Sequence, residues 1–143
     1  MSPSLRHAPV AALLVLAACS ADRGPGANLT GSDNPEGIVF LAETEAGNDM
    51  DALFEGRVIR DQAGCLRLQS AQPSTVIWPA GSRLESRGGA LFVIARDGRA
   101  LTKIGAETRL GGGHVPSHAY AELTPRDREL AETRCPGEYW IVG

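Results

Sequence analysis

Apolar positions fall into three regimes along this chain. The first is one compact block, residues 10–18, with nine apolar side chains in succession. It is too short to cross a bilayer as a helix, which takes about 20 residues. The second regime, residues 20–36, is almost purely polar. It holds Gly24, Gly26, Gly31, Pro25 and Pro35, with Leu29 as its one large apolar side chain. A segment of that composition has too little apolar surface to order itself. The third regime starts at Gly37, where short apolar or alternating runs separated by turn residues predict a folded, mainly β region.

Residues 37–42 predict a first strand, followed by an acidic loop over residues 43–51. Residues 53–60 predict a strand with Gly56 inside it, a sign of a bulge or a close backbone approach. Asp61-Gln62-Ala63-Gly64 reads as a turn. Residues 65–69 alternate, with Leu66 and Leu68 on one face. Thr75-Val76-Ile77-Trp78 predicts a short β-branched strand, ending in Trp78-Pro79-Ala80-Gly81 with the proline and glycine placement of a type I turn. Apolar runs at residues 90–95 and 100–104 flank Asp97-Gly98, a two-residue hairpin signal of type I′. That register puts Leu91, Val93 and Ala95 on one face with Ile104, Thr102 and Ala100, the better candidate for the core. Phe92, Ile94 and Leu101 lie on the other face, too apolar to be wholly solvated.

Thr124-Pro125 predicts a helix start, as N-cap and first helical residue. Asp127 and Glu129 suit its first turn. Pro136-Gly137 stops it, and residues 138–142 predict a last strand. The fold class that follows is mainly β: a small antiparallel barrel of about six strands with one short C-terminal helix, or alternatively a β-sandwich. Ile104-Gly105-Ala106-Glu107 followed by Leu110-Gly111-Gly112 resembles the strand corner of OB-type barrels, which favours the barrel. In that reading the Gly111-Gly112-Gly113 triplet is a flexible corner.

Composition narrows the function. The net charge is −3, and removing Arg6 with the N-terminal block makes it about one unit more negative. No basic stripe is available for phosphates, which argues against nucleic acid and against electrostatic attachment to anionic lipid. No cofactor is implied.

Leu16-Ala17-Ala18-Cys19 closes the N-terminal block, with Arg6, His7 and no acid before it. The arrangement resembles the lipobox of bacterial lipoprotein signal peptides. Competing readings are a buried helix ending in cysteine and a plain secretory signal cut after Ala-x-Ala. The resemblance implies that Cys19 is lipidated and becomes the mature N-terminus, and that membrane attachment comes from acyl chains. It implies three parts: a signal peptide over residues 1–18, a lipidated cysteine and flexible tether over 19–36, and a β domain over 37–143. The tether would reach about 20–25 Å. Asn28-Leu29-Thr30 matches a glycosylation sequon, by accident if the lipobox reading holds. Ser20, rather than Asp, after the cysteine implies the outer membrane, facing the periplasm. With Cys19 assigned to lipid, Cys65 and Cys135 remain for an oxidising compartment, predicting a disulfide. Two buried free thiols are the alternative.

Candidate chemistry is sparse. His114 and His118 are four apart, yet Val115-Pro116-Ser117 between them breaks a helix, so metal ligation is a weak reading. Gly111-Gly112-Gly113 lacks the Lys and helix of a phosphate loop. No serine has a Gly-x-Ser-x-Gly setting. Cys65 as a nucleophile with a histidine base competes with the disulfide. Glu43, Glu45, Asp49 and Asp51 form an acidic cluster without EF-hand spacing. Trp78, Tyr139 and Trp140 are candidate partner contacts, with core packing as their default. The functional expectation is a non-enzymatic, lipid-anchored module that binds an envelope protein or polymer. A small periplasmic metal-dependent enzyme and a hydrolase inhibitor are the alternatives.

Overall fold

A computed structural model describes residues 28–29, 37–47 and 49–143. The stretch read as a signal peptide, Cys19 and most of the stretch read as a tether lie outside the described residues. In chain order the strands are β1 (Asn28–Leu29), β2 (Leu41–Ala42), β3 (Ala52–Arg60), β4 (Leu66–Leu68), β5 (Thr75–Trp78), β6 (Arg83–Arg87), β7 (Ala90–Ile94), β8 (Ala100–Lys103), β9 (Glu107–Val115) and β10 (Tyr139–Val142). A 3-10 turn (His118–Tyr120) and helix α1 (Pro125–Thr133) separate β9 from β10.

Five strands close a ring in the order β3, β4, β5, β10, β9 and back to β3. β10 closes it, pairing antiparallel with β9 and parallel with β5, with Tyr139 opposite Thr75 and Ile141 opposite Ile77. This is a small OB-like barrel, closed rather than open as a sandwich would be, and antiparallel except at that one junction. The outer edge of β5 is completed by β2, also parallel, with Leu41 opposite Ile77. A separate antiparallel sheet, ordered β1, β6, β7, β8, is inserted between β5 and β9. β1 lies within the stretch read as tether and pairs with β6, Asn28 opposite Glu85.

Period-two alternation explains the continuous apolar runs. Ile38, Phe40, Val76, Trp78, Trp140 and Val142 fill one cluster with Leu66, Leu68 and Leu110. Their alternates Val39, Leu41, Ile77, Tyr139 and Ile141 fill a second cluster with Leu123, Ala131 and the two cysteines. Residues 38–41, β5 and β10 are therefore buried on both faces, because the helix and the chain leading into it cover the side turned away from the first cluster. The Cys65–Cys135 disulfide staples that second layer, with its Cα atoms 5.8 Å apart. Thr124 caps the helix as its sequence predicts, accepting a hydrogen bond from Asp127 N at 3.1 Å. Arg134 at the helix end donates to the carbonyls of Ala63 and Gly37.

Three turns differ from expectation. The type I′ hairpin is not at Asp97-Gly98 but at Gly88-Gly89, where both glycines have positive φ, 56° and 80°. Those glycines join β7 to β6, a strand that the polar run Arg83-Leu84-Glu85-Ser86-Arg87 concealed. At 96–98 the loop has three residues, with Ala95 N donating to Arg99 O at 2.8 Å and Gly98 N to Ala95 O at 2.9 Å. A register shift between Val93 and Ile94 absorbs the difference, so Val93 still faces Thr102 and Phe92 still faces Lys103. Beyond Trp78 the turn is shifted one residue on, Ser82 N donating to Pro79 O at 3.1 Å, with Gly81 at positive φ. Gly111-Gly112-Gly113 is not a corner but the middle of β9. A β-carbon at Gly112 would overlap the Ile141 carbonyl, so glycine lets β9 approach β10 closely.

Candidate functional site

β2 delivers the chain to an acidic loop at one end of the barrel. Glu43 N donates to Trp78 O at 2.9 Å, which fixes the loop to the end of β5. Thr44 N and Thr44 Oγ1 both donate to Glu122 O, at 2.7 and 3.1 Å, which fixes it to the chain before α1. Held at both points, the loop walls a cavity of about 390 Å³ whose lining includes Glu43, Glu45, Asp49, Pro79, Ala80 and Arg96. The volume lies within the range of small-ligand sites, about 300–1,000 Å³.

Glu43 is the unusual group in that lining. Its residue is 4% exposed, and its Oε2 has no hydrogen-bond partner. Gly47 lies directly against that carboxylate, with no room for a β-carbon. Burial pushes the Glu43 carboxyl above the usual carboxylate range; a hydrogen bond to the Glu122 backbone opposes this, and the Glu122 charge adds to it. A buried carboxylate oxygen that is covered in this way and has no donor carries a desolvation cost. Arg96 enters the lining from the loop between β7 and β8, and its methylenes lie within 3.0–3.1 Å of where a Gly81 β-carbon would stand. The aliphatic stem of Arg96 thus forms wall as well as charge.

The residues singled out in the sequence are placed elsewhere. His114 is exposed on β9, its Nδ1 3.0 Å from Ser74 Oγ and its ring edge-on to Trp140 at 4.9 Å. His118 starts the 3-10 turn, its Nε2 3.2 Å from Glu132 Oε1 on α1 and its ring 5.7 Å from that of Tyr139. The two histidines therefore serve different neighbours. Among the described residues no three His, Cys, Asp or Glu side chains form a group that could hold a metal ion. Cys65 is committed to Cys135 and is fully buried, which leaves no thiol there for nucleophilic chemistry.

Trp78, Tyr139 and Trp140 are all buried. Trp78 stacks on Phe40 with centroids 6.2 Å apart, and the Tyr139 hydroxyl lies 3.0 Å from both the Ala131 and Cys135 carbonyls. Their aromatic surface builds the core, as the default reading has it. Among the described residues, the large apolar side chains on the outside are Leu53 and Tyr120, 57% and 58% exposed. Of the acidic cluster, Glu43, Glu45 and Asp49 line the cavity. Sequence reasoning missed Pro79, Ala80 and Arg96 as their neighbours, since these reach the cavity from two other loops. A second, more open depression lies over β3 and β9. There Glu55–Arg109 and Arg57–Glu107 pair across the strands at 2.6 and 2.8 Å, an exposed pattern suited to solvent.

The fold and site together define a disulfide-stapled OB-like barrel with a small acidic cavity at one end. No family model, no curated protein and no solved structure matches the chain.

Proposed function

We propose that this chain is an exported lipoprotein, anchored through acylated Cys19, whose barrel binds another envelope protein or an envelope polymer. The stretch over residues 19–36, in which Asn28 and Leu29 pair with β6, links the domain to the outer membrane on its periplasmic side. The observation that carries this reading is the pairing of Cys65 with Cys135. It accounts for two of three cysteines in a way that suits an oxidising compartment, and it leaves Cys19 over, at the end of the lipobox. A rigid barrel with a lined cavity supports binding as the role.

The test is made on the protein expressed in a bacterium with two membranes. The mature form should begin at Cys19, carry acyl chains by mass spectrometry and fractionate with the outer membrane. Cys19→Ala should abolish acylation and release it from that fraction. Cross-linking in intact cells should capture one envelope component reproducibly. A mature chain starting elsewhere, or one unacylated and freely soluble, would overturn the reading.

A further inference from the structure

We propose that the open end of the inserted sheet, at its Gly88-Gly89 hairpin, docks on anionic phospholipid headgroups of the membrane that holds Cys19, with Arg87 and Lys103 as the phosphate contacts. This rests on the anchoring proposed above and adds the face that the barrel turns to the bilayer.

The net charge of the whole chain conceals a segregation. Residues 83–103 carry five basic and two acidic side chains, whereas the rest of residues 37–143 carries seven basic and twelve acidic ones. The inserted sheet is thus a basic body on an acidic barrel. Its register sorts these charges by face, because directly opposed residues of neighbouring strands share a face. Leu84, Val93 and Thr102 form one row across the sheet and are buried. Glu85, Phe92 and Lys103 form the next row, on the other face, with Arg83 and Arg87 flanking Glu85 along β6. Glu85 pairs with both arginines, which leaves three bases against one acid there. That face opens toward the hairpin. The Arg83 side chain is 26% exposed and that of Arg87 51%, and Lys103 is exposed. The Arg87 guanidinium lies 5.7 Å from the Phe92 ring centroid, a contact that keeps the charge on this face.

The path of the chain from Cys19 is the second, independent observation. β1 pairs antiparallel with β6, Asn28 opposite Glu85 and Leu29 opposite Leu84. The chain therefore enters β1 from the side of Ser86 and Arg87, the end where the basic face is open. Asn28 is nine positions after Cys19, a span of at most about 30 Å when fully extended. A lipidated Cys19 thus keeps this end of the sheet nearest the bilayer. Basic groups that come within a Debye length, about 8–10 Å, are drawn to anionic headgroups. The acids that would oppose this lie at the far end, where Arg96, in the loop after β7, lines the acidic cavity.

The test uses the acylated protein reconstituted through its lipid into vesicles of phosphatidylcholine alone, or of phosphatidylcholine with about a third of phosphatidylglycerol. Hydrogen exchange is followed at residues 86–90 in low salt. The expected result is exchange slowed about fivefold or more by phosphatidylglycerol, and restored by high salt. Residues 43–47, in the acidic loop, should exchange alike in both vesicles. Arg87→Gln/Lys103→Gln should abolish the slowing while the β3–β9 ladder keeps its protection, which shows that the variant is folded. Equal hairpin exchange in the two vesicles, or a slowing that survives the double variant, overturns the proposal. So does a hairpin that ignores phosphatidylglycerol but cross-links through Lys103 to an acidic envelope protein, which assigns the face to that partner. Any of these results with an acylated protein leaves the anchoring standing. An unacylated, soluble mature chain overturns the anchoring instead. Flotation of that chain with the phosphatidylglycerol vesicles, against none with phosphatidylcholine, then still supports the docking face, and flotation with neither overturns it.

Discussion

Two carboxylates show how burial and partners set opposite pH dependence at the scale of single residues. Glu43 is buried with an unpartnered oxygen, and its carboxyl is raised. Its contribution to stability is therefore fully present below the unfolded value, about 4.3, and is lost as pH rises through the folded value. Glu43→Gln should raise stability at pH 7 by on the order of 1 kcal/mol, from the desolvation it removes. In urea melts the gap between variant and parent should close below pH 4; a Gln variant less stable at pH 7 would show that the charge is compensated. Asp61 is the reverse. Burial opposes its ionisation, yet the hydrogen bond from Arg67 and backbone hydrogen bonds from Cys65 and Ala63 together hold it low. Its Oδ1 accepts from Cys65 N at 2.9 Å, and its Oδ2 pairs with Arg67 Nε at 2.6 Å. That contribution is present above about pH 3.9 and lost as pH falls through the lowered value. Asp61→Asn should cost about 1–3 kcal/mol at pH 7 and progressively less below pH 3, measured by the same melts. The turn at Asp61-Gln62-Ala63-Gly64 was legible in sequence because its chemistry is local. The state of Glu43 was not, because the chain at Glu122 and the covering Gly47 meet its carboxyl only in three dimensions.

At the scale of elements, legibility followed the number of faces an element buries. β4, buried at Leu66 and Leu68 and half-exposed at Arg67, alternates as read. β5 and β10, buried at every residue, still read as strands because β-branched and aromatic residues fill them. β6 was missed, since Leu84 alone is buried and four polar residues surround it. The hairpin of β7 and β8 was found with the wrong loop and its inner face in part: a bulge restored Val93 opposite Thr102, both buried, whereas Ile94, read onto the other face, is buried and Ala100, read onto the inner face, is exposed. The glycine triplet was misread because a run of glycines signals a turn when no partner strand is known. Its role is steric and long-range. Gly112→Ala should therefore cost more than an ordinary strand substitution, roughly 2–4 kcal/mol, because the new methyl meets the Ile141 carbonyl and positive φ is strained for alanine. Gly111→Ala, with open space at its position, serves as the control and should be near neutral. Equal losses in chemical denaturation would mean that glycine is there for the chain rather than for the β9–β10 approach.

The whole molecule has two apolar layers of unequal independence. The first cluster is enclosed by the barrel ring, whose strands hydrogen-bond to one another all the way round. The second is covered by α1, which buries Ala131, packs the partly buried Leu130 against the cluster and is mainly polar elsewhere. Such a helix has little apolar surface of its own to hold it down. What fixes it is the disulfide, the Arg134 contacts to Ala63 and Gly37, and the Tyr139 hydroxyl. The bridge closes a loop of 71 residues, worth about 4 kcal/mol in the chain-entropy model, a large share of a typical domain stability of about 5–15 kcal/mol. Cys65 also forms a parallel bridge to Val39, three residues beyond position 36, where the tether reading ends. The staple therefore joins helix, barrel and the first buried stretch at one place. In Cys65→Ala/Cys135→Ala the losses should be uneven. Hydrogen exchange should show α1 and residues 37–42 losing protection by a hundredfold or more, while the β3–β9 ladder opens only with global unfolding. If all regions lost protection equally, the barrel would depend on the helix layer for its own closure, and the two clusters would be one cooperative unit.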